Sequence, residues 1–188
     1  MHLARQFLPR INFRPDTNEI WIGDVGWNDF EEINRIVNPT DTLVENFGWP
    51  CYEGDSRQPA FDGTNLSICE NLYGQANAVI APYYKYHHSD KVTPNETCPV
   101  GSSSLAGIAF QFHPGTGPYP SKYERALFFA DYSRNCIWAM LKGVNGLPAL
   151  ASIQTFVEGA AGPVDVQFGP DGELYYADFK GGSIKRIH

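Results

Sequence analysis

Residues 126–140 carry the plainest pattern in the chain. Leu127-Phe128-Phe129-Ala130 is an apolar run closed by Asp131. A polar stretch, Ser133-Arg134-Asn135, separates it from a second apolar run, Cys136-Ile137-Trp138-Ala139-Met140. The design returns at 173–187, where Leu174-Tyr175-Tyr176-Ala177 ends in Asp178, turns at Lys180-Gly181-Gly182 and resumes toward Ile184 and Ile187. Asp131 and Asp178 stand 47 positions apart, and the two stretches align without a gap. Short apolar runs bounded by turn formers predict strands. A related hairpin opens the chain. Residues 11–24 (INFRPDTNEIWIGD) and 166–178 (VQFGPDGELYYAD) share an apolar residue, Phe, Pro-Asp, a turn, Glu and an alternating strand ending in Asp. Pro15 and Pro170 preset φ at the turn entry, while Asp16 and Asp171-Gly172 suit turn interiors.

Strands and Pro-Asp turns recurring at this spacing predict radially repeated sheets. The expected fold is all-β: a partial β-propeller of about three blades with long disulfide-bearing loops. The interval from Asp24 to Asp131 is a little over two periods. It is filled either by a diverged blade or by a long insertion carrying Cys51 and Cys69. Helix is expected to be scarce. Asp29–Asn34 predicts one helical turn with Asn28 as its cap. Residues 51–78 predict a long irregular loop, 79–88 an extended start, and 89–104 a polar, turn-rich segment.

Composition narrows the function. Of 188 residues, 43% are hydrophobic and 14% aromatic, with 18 glycines and 14 prolines. These proportions suit one turn-rich β domain. Net charge is −7, and no Lys/Arg run exceeds the pair Lys185-Arg186. Nucleic acid is therefore not an expected partner, because phosphate binding needs clustered cations. No apolar stretch approaches the length of a membrane span, and residues 1–20 lack the apolar core of a signal peptide. The four cysteines, Cys51, Cys69, Cys98 and Cys136, include no Cys-x-x-Cys pair, which argues against zinc. An even number in loop-rich sequence points to disulfides and to a secreted or periplasmic location. Among the three possible pairings, Cys51–Cys69 and Cys98–Cys136 are favoured. Asn65-Leu66-Ser67 and Asn95-Glu96-Thr97 are glycosylation triplets.

Four segments carry a family resemblance: IWIGDVGWNDFEEINRI (20–36), NFGWPCYEG (46–54), FFADYSRNCIW (128–138) and GPVDVQFGPDGELYYADFKGGSIKRI (162–187). Over nearly the whole chain the sequence resembles the glucose/sorbosone dehydrogenase family. These are soluble sugar dehydrogenases that use pyrroloquinoline quinone (PQQ), with Hedgehog-interacting-protein-like relatives. The resemblance implies a six-bladed propeller with PQQ and calcium over its axis. A sugar hydroxyl is oxidised there as hydride passes to the quinone, helped by a histidine base in an early blade. Residues 1–188 would then be the C-terminal part of such a domain, with N-terminal blades elsewhere and no catalytic base of their own.

The resemblance also implies site residues. Backbone carbonyls of Gly26 and Trp27 would hold the axial calcium; glycine permits close backbone approach, and hard cations take oxygen ligands. Trp27 stands where catalytic members commonly carry Pro, and Val25 where they carry Gln or His. A second calcium would take the Glu32 carboxylate and the Phe47 carbonyl, with Asp55 about two residues out of register. Arg134 would face the quinone's acids, beside Ser133 at the family's lysine position. The family's other cations fall at Gly162, Val164 and near Arg5-Gln6.

The residues themselves offer plainer roles. Asp24, like its equivalents Asp131 and Asp178, suits a turn cap. His87 and His88 point to opposite faces of a strand and do not share one ion; exposed or loop positions are expected. Tyr83, Tyr84 and Tyr86 suit packing between blades, or stacking on a sugar. Ser102-Ser103-Ser104 lacks the glycines of a hydrolase elbow. Two functions follow. One is the C-terminal portion of a PQQ- and calcium-dependent sugar dehydrogenase; the other is a non-catalytic secreted propeller that binds a protein or glycan.

Overall fold

A computed structural model describes residues 10–112 and 117–188. The first sheet runs β1 (Arg10–Phe13), β2 (Ile20–Asp24), β3 (Phe30–Ile36), and then, after an insertion, β6 (Tyr84–His87). The insertion holds a hairpin of β4 (Tyr52–Glu53) and β5 (Ser56–Arg57), followed by helices α1 (Pro59–Asp62) and α2 (Ser67–Tyr73). The second sheet is β7 (Leu105–Phe110), β8 (Leu127–Asp131), β9 (Cys136–Met140) and β10 (Gln154–Glu158), in that spatial order. The third is β11 (Pro163–Phe168), β12 (Leu174–Asp178) and β13 (Ser183–Ile187). All pairings are antiparallel between sequence neighbours within a sheet.

The sequence repeat is a repeat of register. Leu127 faces Met140 and Asp131 faces Cys136; at the same offsets Leu174 faces Ile187 and Asp178 faces Ser183. The edge strands β1, β7 and β11 pack side by side, β7 between the other two. They form the axial strands of three blades of a partial β-propeller. Gly107 lets two of them approach: a Cβ there would lie 3.0 Å from the Val166 side chain and backbone nitrogen.

Strand alternation sends Phe128 and Phe129 to opposite faces of the middle blade. Phe129 stacks on Trp138 at 5.3 Å in the core shared with Trp21, Ile33 and Tyr86 of the first blade. Phe128 meets Phe156 at 4.9 Å and Phe168 at 5.1 Å, in the core shared with Val166 and Leu174 of the third. A sheet covered on both faces reads as continuous apolar sequence, which explains the run at 127–130. The outer blades are covered on one side. Ile11 (57%), Phe13 (64%) and Ile184 (69%) stand exposed on the flanks.

Two expectations are corrected. Within the expected helical turn 29–34, residues 30–34 form strand instead, because β2 and β6 both pair with them and tertiary pairing overrides local propensity. Residues 51–78 are not an irregular loop but the hairpin and the two short helices, with α1 capped by the Gln58 side chain, which accepts from Ala60 and Phe61 N–H. This insertion, not a diverged blade, fills the long interval before the second sheet. Both expected disulfides form. Cys51–Cys69 closes an 18-residue separation inside the insertion, and Cys98–Cys136 ties the polar segment to β9 across 38 residues. By loop-closure entropy they stabilise by about 3 and 4 kcal/mol.

Candidate functional site

The candidate site lies at the end of the blades where β2, β8 and β12 each finish in aspartate. In two blades that aspartate is a turn cap. Asp131 Oδ1 accepts from Ser133 and Arg134 N–H at 2.8 and 2.9 Å, and Asp178 Oδ1 accepts from Gly181 N–H at 2.7 Å. Equivalent residues Asn135 (φ 56°) and Gly182 (φ 60°) complete both turns in the left-handed region, which asparagine and glycine tolerate.

The first blade departs from this plan. Its β2–β3 connection is longer, and its cap comes from the insertion. Glu53 Oε1 accepts from the N–H groups of Asn28, Asp29 and Phe30 at 2.9, 2.8 and 3.0 Å. Gly26 is required by this fold, since a Cβ would run into the Phe30 carbonyl oxygen. Asp24 does not cap this turn; it keeps a hydrogen bond from Val25 N–H, and burial raises its pKa.

Carboxylates accumulate here. Glu32 accepts from Gly54 N–H and from Asn34 Nδ2, yet its pKa is raised to about 7. Burial is the main cause, and the charges of Asp24 and Glu53 add to it. Glu53 Oε2 and Asn34 Oδ1 are buried with no hydrogen-bond partner. Among the described residues no three His, Cys, Asp or Glu side chains converge in a way that could hold a metal. Phe47 is half-buried, one residue before Gly48, whose φ of 94° turns the chain. Asp55 is drawn off by Lys85, with which it pairs.

Arg134 is fully buried beneath the blade ends. Nε donates to Ser103 Oγ (2.6 Å), Nη1 to the Asp90 carbonyl (2.6 Å), and Nη2 to the His87 and His88 carbonyls (2.8 and 3.0 Å). Its guanidinium also covers the Tyr86 ring at 4.9 Å. Four of its five N–H groups are spent on the protein. Lys180, on the third blade's turn, donates to Asn135 Oδ1 at 2.6 Å. Ser133 takes part in the capped turn. Gly162 has φ 73° and donates its N–H to Asn135 Oδ1 at 3.0 Å. Arg5 and Gln6 lie outside the described residues.

The histidines diverge as strand alternation requires. His87 Nδ1 lies 2.7 Å from Ser89 Oγ. His88 lies in the turn that follows β6, as a loop placement requires, but it is largely covered: its Nε2 lies 2.9 Å from Glu31 Oε1, with 13% of the side chain accessible. Glu31 Oε2 in turn accepts from Leu105 N–H at 2.6 Å, so the pair joins the first blade to the second. Tyr83 packs edge-on against Trp21 at 4.7 Å, and Tyr84 and Tyr86 lie against Phe129 at 5.8 and 6.1 Å. Sequence reasoning missed Glu53 as a cap in trans. It also missed the meeting of Trp27 with Trp49 and Phe61 at 6.1 and 5.4 Å. The Gly-Trp-Pro and Pro-Ala-Phe segments were the only signals.

No family model matches the sequence, and no curated protein matches it. Solved structures do. A glucose dehydrogenase superimposes with TM-score 0.63 at 19% identity, over 96% of this chain and 44% of its own. The soluble aldose sugar dehydrogenase from Escherichia coli, in its apo form, superimposes with TM-score 0.57 at 17% identity, over 95% and 43%. The PQQ-bound aldose sugar dehydrogenase from Streptomyces coelicolor gives 0.54 at 18%, over 95% and 41%. The chain thus spans less than half the length of these proteins. At this identity the likeness is one of architecture: the described residues have the fold of three blades of a sugar dehydrogenase propeller.

Proposed function

We propose that this chain forms three blades of a sugar-recognising propeller that works outside the cytoplasm. The structural neighbours are glucose and aldose sugar dehydrogenases, which supports a sugar as ligand. Two disulfides support an oxidising compartment, and no helix of the described residues is long and apolar enough to cross a membrane.

Calcium is supported only if main-chain oxygens join the carboxylates, since the side chains alone form no metal cluster among the described residues. The charges of Asp24 and Glu53 help to raise the pKa of the buried Glu32, and Glu53 Oε2 is buried with no donor. Hard cations seek such oxygens. The carbonyls of Gly26 and Trp27 would hold an axial calcium, and the Glu32 carboxylate with the Phe47 carbonyl a second one. The second cation would screen the charge of Glu32 and its neighbours and fix β3 against the insertion.

PQQ fits poorly. Its acids require free cations, because buried carboxylates need charged donors. Arg134 is enclosed and engaged, and Lys180 is bound to Asn135. That use of Arg134 is the observation favouring the second of the two functions, a propeller that binds a glycan or a protein without quinone chemistry. The enzyme reading assigns hydride transfer and the base to other blades. The test is full-length protein incubated with PQQ and calcium. We expect calcium to raise the melting temperature, an oligosaccharide to bind, and no quinone absorbance to stay with the protein. Retained quinone with aldose-dependent dye reduction would overturn the non-catalytic reading.

A further inference from the structure

Two tryptophans stand half in solvent on neighbouring loops of the first blade. Trp27 (44% exposed) follows Gly26 in the β2–β3 turn, and Trp49 (46%) precedes Pro50 at the start of the insertion. Their ring centroids lie 6.1 Å apart with planes at 88°. Phe61 of α1 lies against both, at 5.4 and 5.9 Å. Single exposed apolar residues need no explanation, but a contiguous aromatic patch on a polar surface marks recognition.

Three devices hold these rings in place. Glu53 caps the turn that carries Trp27. Cys51–Cys69 closes the insertion that carries Trp49 and Phe61. Gln58 caps the helix of Phe61. A platform fixed before binding loses little side-chain entropy when a ligand arrives.

The rim selects the ligand. Asp29 lies two residues after Trp27 and Asp62 one after Phe61, with side chains 39% and 40% exposed; Asp62 pairs with Arg57 at 3.4 Å, which leaves carboxylate oxygens open to solvent, and the chain carries a net charge of −7. Acidic surroundings repel anions, and carboxylates accept from hydroxyl groups. The rings meet edge to face, leaving no slot between them, so they are a platform and not the cage that surrounds a quaternary ammonium. A flat ligand with one apolar CH face and a girdle of hydroxyl donors matches both features. We propose that Trp27, Trp49 and Phe61 form a stacking platform for a pyranose ring of a neutral carbohydrate, with Asp29 and Asp62 accepting its hydroxyl hydrogens. The proposal rests on the sugar-recognising reading above and requires no quinone.

The full chain is titrated with maltohexaose, cellohexaose and chitohexaose while tryptophan fluorescence and heat are followed. We expect saturable binding of at least one, weakened about tenfold or more in the double variant Trp27→Ala/Trp49→Ala. Trp27→Phe/Trp49→Phe should recover part of the affinity, and circular dichroism should show every variant folded. Sugar binding that survives the double Ala variant overturns this site and leaves the broader reading standing. No binding of any of the three overturns both. A parent dimer that becomes monomeric in the double Ala variant, without sugar binding, assigns the patch to a second copy of the chain and also overturns the proposal.

Discussion

Tyr86 donates its phenolic hydrogen to Asp131 Oδ2 at 2.9 Å, joining the outermost strand of the first blade to the second strand of the next. Both side chains are buried, and burial raises both pKa values, that of Tyr86 well above its usual 10. The phenol therefore stays a donor at neutral pH. Removing it leaves a buried carboxylate oxygen short of a partner. We expect Tyr86→Phe to destabilise by about 1–3 kcal/mol. The urea midpoint should fall with an unchanged slope, and an unshifted midpoint would deny the tie any energetic role.

Glu53 performs in trans what Asp131 and Asp178 perform within their own turns. One carboxylate oxygen satisfies three backbone amides, and charge-assisted bonds are the stronger kind. Glu53→Ala should destabilise by about 3 kcal/mol or more. It should also expose residues 25–30 to proteolysis before the second blade is attacked. Glu53→Gln keeps an acceptor and should fall between. Equal effects of the two would remove charge from the explanation.

Glu32 titrates near 7 in the folded chain, against 4.5 as an ordinary glutamate. The folded state thus holds this proton more tightly than the unfolded one. The associated stability is fully present below pH 4.5 and lost as pH rises to about 7. Glu32→Gln should therefore be more stable than the parent at pH 8, by about 3 kcal/mol, and equal to it near pH 4. Gln can still accept from Gly54 N–H. Calcium should raise the melting temperature of the parent at pH 8 and leave the Gln variant unmoved. A calcium response shared by both proteins would place the cation elsewhere.

Ile11 and Phe13 on one flank and Ile184 on the other present the apolar faces that adjoining blades cover in a closed ring. Expressed alone, residues 1–188 should dimerise or aggregate. Ile11→Lys/Phe13→Lys should reduce that association. A sharp monomer by light scattering with a cooperative melt would contradict this.

How much of this was legible depended on sequence distance. The hairpins at 126–140 and 173–187 were plain because strand register, capping aspartate and left-handed turn residue all lie within 15 positions. The even cysteine count pointed to disulfides, and the structure selects the favoured one of the three possible pairings. Strand β3 was mistaken for a helical turn because Glu31-Glu32 look solvated. Glu31 is in fact buried between His88 and the Leu105 amide, 57 and 74 residues away. Arg134 suggested a cofactor contact, but its partners are carbonyls 44 to 47 residues upstream. Local pattern does not report such pairings. Trp27, Trp49 and Phe61 belong to separate segments and become one surface only once the insertion folds back on the turn.

Radial geometry underlies every functional statement made of this chain, and a crystal structure tests it most directly. Asp24, Asp131 and Asp178 should end the second strands of three separate sheets, with β1, β7 and β11 side by side along one axis. Those strands lying in the layers of a flat sandwich would contradict the account and remove its link to the sugar dehydrogenases.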